Sequence, residues 1–234
     1  MKLKRLKLGK FFFEFASVFI AVIAAFALEN WNDNRRDTKA EEKILIEIRN
    51  GLKSDFDDMQ MNRDVMEMGI RACEFFRAML TTDTIKKDSL PIHYFNLTAN
   101  CIPLVNRSGY EGLKSKGLEV IKNDSLRSHI ISIYEFDYER IRKTEEETAV
   151  FQFYTNFGEP INQLLDESFI FADNGFGFTI EQPLKLNTQE RKLFLIYLMR
   201  IQALRMSTIN VYNEIKEEIT KLMVEIDQEL AERD

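Results

Sequence analysis

An uninterrupted apolar segment near the start of the chain constrains the structure more than any other feature. Residues 11–28 read FFFEFASVFIAVIAAFAL and contain one ionisable side chain, that of Glu14. As an α-helix this segment is about 27 Å long, close to the hydrocarbon thickness of a bilayer, which is about 30 Å. The sequence therefore predicts a transmembrane helix, which we place at residues 11–30, behind a basic tail at residues 1–10.

Two features of the apolar helix bear on how it packs in the membrane. Glu14 lies one turn from the basic end, where it either reaches the headgroups and pairs with Lys7 or Lys10, or faces a neighbouring helix or a proton path. Small residues that let two helix backbones approach closely recur every fourth position on one face. These small residues are Ser17, Ala21 and Ala25. They indicate self-association, and a lone span is the alternative.

The segment after the apolar run indicates an anchor that stays in the chain. Asn30-Trp31-Asn32 places Trp31 as an anchor at the expected membrane–water interface, where aromatic rings concentrate. A cleavable signal peptide is the alternative, because Lys-rich residues and an apolar segment precede an A-x-A sequence at residues 25–27. Glu14 is unusual within the apolar part of a signal peptide, and no Pro or Gly follows before Gly51. We therefore favour a retained helix.

The charges on the two sides of the apolar helix bear on its orientation. Five Lys and Arg precede it within residues 1–10, and four follow it within residues 35–43. Positive charge favours the cytoplasmic side, and the dense cluster in the short tail is the harder one to translocate. The sequence thus favours a single pass through the bacterial inner membrane, with the tail inside and a helical domain, residues 31–234, in the periplasm.

The rest of the chain is rich in apolar and acidic residues. It is 45% apolar and has 19 Phe, enough for the core of one domain of about 200 residues. The tail holds five of the 32 Lys and Arg and no acid, so the remainder carries 27 basic and 38 acidic residues, a net charge of −11. This charge argues against nucleic acid as a partner, because phosphates require a basic surface. Cys73 and Cys101 form either one disulfide or two buried thiols.

Seven-residue spacing predicts a long helix at residues 38–80, directly after the membrane segment. The apolar residues at this spacing are Leu45, Leu52, Met59, Met66, Cys73 and Leu80. Such a stripe is typical of a bundle helix that packs within its own domain, and a coiled coil with another chain is the alternative. Because no Pro or Gly interrupts residues 28–50, this helix and the membrane helix are predicted to form one rod.

Two further helices complete the prediction of an all-α fold. Residues 125–157 carry an apolar stripe, and Gly158 and Pro160 are predicted to end that helix. The last helix begins at Asn187, where Glu190 three positions on gives a capping-box pattern. Its apolar stripe is Leu193, Tyr197, Leu204, Val211, Ile215, Leu222, Ile226 and Leu230. Helices of this length predict an elongated antiparallel bundle of three or four long helices.

A change of periodicity near residues 169–180 predicts a small hairpin or loop insertion. The sequence FIFADNGFGFTI places aromatic residues on both sides of Asp-Asn-Gly, which favours two short strands joined by a tight turn. The aromatic side chains either pack on the end of the bundle or form an exposed loop that docks a partner. The candidate docking residues are Phe171, Asn174, Phe176 and Phe178.

Residues 107–134, RSGYEGLKSKGLEVIKNDSLRSHIISIY, are the most distinctive part of the domain. They predict a helical turn that stops at Gly117 and a second helix capped by Asn123 or Asp124. The residues that form the pattern are Tyr110, Leu113, Ser115, Gly117, Ile121, Asn123, Leu126 and Tyr134. Together with an apolar helix that closes on Asn-Trp-Asn, this pattern resembles an uncharacterised family of bacterial single-pass membrane proteins, classed as a domain of unknown function. The resemblance implies an inner-membrane anchor and an all-helical domain, and it implies no activity.

The chain lacks the common motifs for catalysis and cofactor binding. It has no G-x-S-x-G, H-E-x-x-H, P-loop or dinucleotide sequence, and neither His93 nor His129 has a ligand cluster around it. We therefore expect no enzyme activity, no cofactor and no metal. If the protein were an enzyme, carboxylates or tyrosines would be its catalytic residues.

The sequence favours a membrane-anchored structural or interaction protein. Its expected partners are the lipid bilayer and either its own copies or other envelope proteins, as an oligomeric or accessory subunit of an envelope complex. The alternative is a sensory or ligand-binding ectodomain that signals through a membrane partner, because a ten-residue tail cannot hold an output domain of its own.

Overall fold

The described part of the chain is all-α apart from one two-stranded sheet, as the sequence predicts. A computed structural model describes residues 3–82, 89–99, 101–143, 153–173, 175 and 177–232, with side chains from residue 11 onward. The helices are α1 (Leu3–Thr82), α2 (Leu90–Thr98), α3 (Ser108–Lys116), α4 (Asp124–Ser132), α5 (Tyr138–Arg142), α6 (Glu159–Leu165) and α7 (Thr188–Ala231). The strands are β1 (Phe169–Phe171) and β2 (Phe178–Ile180).

Helix α1 is a single rod of 80 residues, so the predicted continuity of the apolar segment with the first bundle helix is confirmed. At 1.5 Å per residue it is about 120 Å long. Nearly every side chain of residues 11–37 is exposed, and full burial begins at Glu41. We call residues 11–40 the free half of α1 and residues 41–82 the packed half.

Helix α7 lies antiparallel along the packed half. Arg49 of α1 pairs with Asp227 near the end of α7, with Nε 2.6 Å from Oδ1, whereas Arg77 donates to Gln202 near its start at 2.5 Å. The buried residues of both helices recur at alternating intervals of three and four, the pattern of interlocking bundle helices. On α7 these residues are Phe194, Leu198, Ile201, Arg205, Thr208, Tyr212, Ile215, Ile219, Leu222 and Ile226.

The start of α7 confirms the sequence prediction, and its first turns correct it. Asn187 and Glu190 form the predicted capping box. The buried line, however, runs through Phe194 rather than Leu193, which is 38% exposed. The prediction was wrong by one residue here. The buried line includes two polar residues, Arg205 and Thr208, and a search for apolar residues at helical spacing does not include them.

The helices from α4 to α6 pack mainly on α7. A π-helical turn (Ile133–Asp137) joins α4 and α5, and a second one (Tyr154–Gly158) leads into α6. The predicted break at Gly158 and Pro160 is therefore wrong, since the chain stays helical there. Glu159 donates its N–H to the Tyr154 carbonyl five residues back. This wider turn relieves the crowding that a proline ring causes in a regular α-helix.

The segment between α3 and α4 follows the predicted turn and cap. Gly117 ends α3 with φ 101°, a conformation that favours glycine. The Asn123 side chain caps α4 by accepting from the backbone N–H groups of Ser125 and Leu126. Gly109 of α3 is buried against the α1 backbone, where a Cβ would stand 2.7 Å from the Ile48 nitrogen. A residue larger than glycine at 109 would therefore push α3 away from α1.

Candidate functional site

The apolar part of the free half is the first candidate site. One helix in the described chain, within Phe11–Thr81, is long and apolar enough to cross a membrane, and none of its apolar window is buried in the fold. Phe12 is 75% exposed and Ile20 is 65% exposed. Contiguous apolar surface of this kind needs a bilayer or a partner to cover it. By length and composition, the free half therefore supports the predicted span.

The predicted membrane-packing residues all lie in this exposed segment. The Ser17 hydroxyl donates to the Glu14 carbonyl at 2.8 Å, so its hydrogen bond is made within the helix. Ala21 and Ala25 follow Ser17 at successive four-residue steps and are exposed. The small face thus presents no polar group that requires another partner, and a second helix can approach it closely.

Trp31 stands where the apolar segment ends. Its ring is 62% exposed, and the Arg35 guanidinium lies 5.8 Å from the ring centroid. Between residue 28 and the first buried side chain, Glu41, α1 continues as an exposed helix for about 20 Å. The bundle therefore starts some distance beyond the end of the apolar segment, and a rigid helix connects the two.

A second candidate site lies at the opposite end of the bundle, where the hairpin packs on α2. The strands pair antiparallel, with Phe171 opposite Phe178, as the sequence predicts. The Tyr94 ring of α2 lies 5.2 Å from the Phe169 ring and 5.4 Å from the Phe178 ring, both edge-on. The Phe95 ring lies 5.6 Å from the Phe178 ring. These contacts fix the hairpin on the bundle.

Some of the aromatic residues of the hairpin pack on the bundle, and others are exposed, so each of the two predicted alternatives holds in part. Phe178 is half-buried, whereas Phe171 is 66% exposed and Phe95 is 57% exposed. Ile92, one turn before Phe95 on α2, is 56% exposed. We call these four residues the distal aromatic patch: Ile92, Phe95, Phe171 and Phe178. The structure thus brings two of the four predicted docking residues together, and the other two, Asn174 and Phe176, lie outside the described residues.

Three carboxylates of α1, of which Glu41 and Asp55 are buried, hold the loops to this helix, and the sequence patterns did not predict them. Asp55 accepts from the Asn106 N–H at 2.7 Å and from the Tyr138 hydroxyl at 2.6 Å. Burial raises the pKa of the Asp55 carboxyl to about 6, although these hydrogen bonds oppose the rise. Asp58 accepts from the Leu104 N–H at 2.9 Å, and Glu41 accepts from the Lys122 N–H. The sequence did contain a signal for such a contact, because Asp55 occupies a core position of the seven-residue repeat, where an apolar residue is expected.

Arg205 is a buried cation that closes the end of α2. Its guanidinium donates to the carbonyls of Asn96, Leu97 and Ala99, at 2.8 to 3.2 Å. Its position is open because the facing α1 residue is Gly69, where a Cβ would overlap the guanidinium. Burial lowers the pKa of Arg205. The arrangement satisfies backbone carbonyls at a helix end and is structural in character.

The cysteines and histidines occupy core and helix-packing positions. Cys73 and Cys101 are both free thiols, and burial raises the pKa of Cys73 to about 11. The His93 ring stacks on Phe75 at 3.8 Å, and His129 Nδ1 lies 2.9 Å from the Glu225 carboxylate. Among the described residues, no group of three or more His, Cys, Asp or Glu is placed to hold a metal ion.

Comparisons with known proteins add no relative. No family model, no curated protein and no solved structure matches this chain. The resemblance to a family of single-pass membrane proteins therefore stays a prediction, and the function must be argued from the free half and the distal aromatic patch.

Proposed function

We propose that this protein is a membrane-anchored interaction subunit of a bacterial envelope complex. The observation that carries the proposal is the continuity of α1, which leads without a break from an exposed apolar segment into the core of the bundle. An apolar segment of this length is suited to lipid, and the packed half is suited to a domain in water. The protein then works as a rigid arm on a membrane anchor.

The distal aromatic patch is the proposed docking surface of that arm. The α2 helix of the patch packs on α1 near Phe75, whose ring stacks on His93, about 70 Å along the helix from the end of the apolar segment at residue 28. Phe95, Phe171 and Ile92 expose more than half of their surface there, and their neighbours hold them in place. An apolar patch on a fixed scaffold is the usual form of a protein-binding surface.

We further propose the orientation and the family that the sequence favours. The basic tail lies in the cytoplasm, the apolar helix crosses the inner membrane once, and the bundle lies in the periplasm. Membership of the uncharacterised single-pass family accounts for the paired motifs, because one forms the anchor boundary and the other forms α3, its Gly117 stop and the Asn123 cap.

Cross-linking in native membranes, followed by purification and mass spectrometry, tests the docking proposal. Phe95→Glu and Phe171→Glu should each remove a cross-linked partner that the unaltered chain captures. Met206→Glu is the matched control, because Met206 is 53% exposed on α7 and lies outside the patch. If all three variants capture the same proteins in the same amounts, the patch is not the docking surface. A chain that is monomeric and captures nothing contradicts the interaction role itself.

The small-residue face supports self-association through the span. Ala21→Leu should prevent close approach of two membrane helices and reduce the cross-linked dimer, and Glu14→Gln tests whether its carboxyl takes part. Val22→Leu, on a neighbouring position of the same helix, is the control for added bulk. Unchanged dimer formation in Ala21→Leu would leave the helix as an anchor alone.

A sensory ectodomain is the second candidate, favoured by the rigid connection between bundle and span. A ligand that alters the packing of the packed half acts directly on the helix that enters the membrane, because no flexible linker intervenes. Insertion of Gly-Gly after Asp37, in the exposed part of α1, should uncouple the two halves. Loss of signalling with retained membrane insertion supports this role, and unchanged signalling contradicts it.

A further inference from the structure

A cavity of about 260 Å³ lies between α5 and the extended segment that precedes α3. Its walls are mainly apolar, and its mouth carries two arginines and a glutamate. The apolar lining consists of Ile102, Pro103, Leu104, Val105 and Ile141. The cavity is separate from the distal aromatic patch, so a ligand bound in it is independent of the proposed docking function.

The extended segment that forms one wall of the cavity is held in place by hydrogen bonds to α1. The backbone N–H groups of Leu104 and Asn106 donate to Asp58 and Asp55 of α1, at 2.9 and 2.7 Å. Alternate residues of an extended segment point to opposite sides. The segment therefore cannot turn to bury Leu104, whose side chain is 82% exposed. An apolar ligand would cover surface that the fold leaves in water.

The floor of the cavity consists of two side chains that the fold almost completely buries, Tyr138 at 1% and Ile141 at 3% exposed. Tyr138 lines the cavity, and its hydroxyl is directed away to Asp55 at 2.6 Å. Because that hydroxyl already has a buried acceptor, Tyr138 offers a ligand no hydrogen bond. The exposed apolar surface at the cavity is that of Ile102 and Leu104, which are 43% and 82% exposed.

Arg107 gives the mouth of the cavity its polar character. Its Nη2 donates to Glu139 Oε1 at 2.8 Å, and the other carboxylate oxygen of Glu139 accepts from Arg142 at 3.0 Å. Within the described part of the chain, this is the one hydrogen bond that the Arg107 guanidinium makes. No described residue accepts from its Nε or Nη1, and a carboxylate is the ligand group that matches the planar guanidinium best.

We propose that this cavity binds a small monocarboxylate with a compact apolar body. The apolar body lies against Ile102 and Leu104, above the buried Tyr138 and Ile141, and the carboxylate binds Arg107. The cavity is slightly smaller than most ligand sites, which enclose about 300–1,000 Å³, so the ligand is limited to roughly ten non-hydrogen atoms. An aromatic acid of the size of benzoate, or a branched short-chain acid, meets this description.

Benzoate and its neutral isostere benzamide are the probes, titrated into the purified full chain in detergent and followed by ligand-observed NMR. Benzoate should bind saturably with a dissociation constant in the range of about 10 µM to 5 mM, and benzamide should bind at least about ten-fold more weakly. Arg107→Gln should weaken benzoate binding by a similar factor. Arg191→Gln, a change of a distant arginine, should leave it unaltered.

A second variant separates loss of the site from loss of the fold. Leu104→Glu places a negative charge at the mouth on a side chain that is already exposed, so it should abolish benzoate binding without unfolding the bundle. Leu104→Gln controls for the lost apolar contact. The proposal is overturned by absence of saturable benzoate binding up to about 20 mM, or by equal binding of benzamide, Arg107→Gln or Leu104→Glu.

Discussion

The two halves of α1 belong to one helix and meet opposite surroundings. In the free half, apolar side chains occur on every side of the helix, and Phe12, Ile20 and Phe26 are each more than 60% exposed. In the packed half, apolar residues form one stripe, and Leu45 and Leu52 are fully buried. The distribution of apolar residues around the helix therefore differs between the part that the fold covers and the part that it leaves exposed.

The unbroken α1 helix also limits how the bundle can move relative to the apolar segment. A flexible linker would let the bundle turn freely on its anchor, whereas α1 transmits any tilt or rotation of the span to the residues that pack on α7. The buried acids of the packed half extend this connection, because Asp55 and Glu41 fix the loops before α3 and α4 to the same rod. The fold is thus organised around α1 from end to end.

Charged substitutions in the free half should have the largest effect on where the protein resides. Ile20→Asp with Ile23→Asp places two charges at the centre of the apolar segment, at a cost of about 6 kcal/mol for insertion. We expect the double variant to leave the membrane pellet after an alkaline wash. Met61→Asp is the control, because Met61 is 60% exposed, close to the 65% of Ile20, but lies in the packed half. Retention of the double variant in the pellet would mean that another surface anchors the chain.

Stability of the packed half should depend on pH through Asp55. Its pKa is about 6 when folded and 3.8 ordinarily, so the folded state holds the proton more tightly. The resulting stabilisation is complete below pH 3.8, falls as the pH rises, and is lost once the pH passes about 6, a change of about 3 kcal/mol.

Chemical denaturation at several pH values, in detergent, checks this dependence. Asp55→Asn removes the titration and keeps an acceptor for the Asn106 N–H. Wild-type protein should therefore lose about 2 kcal/mol more than the variant between pH 4 and pH 7, since part of the full change is already lost at pH 4. Parallel curves for the two proteins would show that Asp55 does not titrate in this range.

Two glycines of α3 should give a smaller and opposite pair of effects. Gly109→Ala should destabilise the bundle by about 2 kcal/mol, because the new Cβ would meet the α1 backbone at 2.7 Å. Gly112→Ala should be neutral or stabilise by up to about 1 kcal/mol, since its nearest neighbour would be a Glu47 side-chain oxygen at 3.9 Å. Thermal unfolding in detergent measures both. Equal effects of the two variants would contradict the close packing of α3 on α1.

Local sequence patterns predicted much of this fold. The absence of Pro and Gly predicted the rod, Asn187 with Glu190 predicted the start of α7, and the turn sequence within residues 169–180 predicted the hairpin. Each of these signals acts over a few neighbouring residues. Their outcome does not depend on distant parts of the chain, and a sequence reading can therefore recover them.

Features that depend on distant partners were missed. Arg205 occupies a core position because Gly69 on another helix leaves room and the end of α2, with Ala99 after it, supplies three carbonyls. Asp55 is buried because a loop 51 residues away donates its backbone N–H. The π-helical turn before Pro160 was missed for a local reason, because the helix widens at the proline instead of ending there. In the candidate sites, the sequence identified the hairpin but not its α2 partners, Ile92 and Phe95.

A distance measurement across the two halves of α1 tests the central claim most directly. Spin labels are attached at Leu28→Cys and Met61→Cys in full-length protein that carries Cys73→Ala and Cys101→Ser. The protein is reconstituted in liposomes, and the distance between the labels is measured by double electron–electron resonance. A continuous helix predicts one narrow distribution centred near about 50 Å, for 33 residues at 1.5 Å each. A broad distribution, or a maximum well below this distance, would show a hinge between anchor and bundle and contradict the rod.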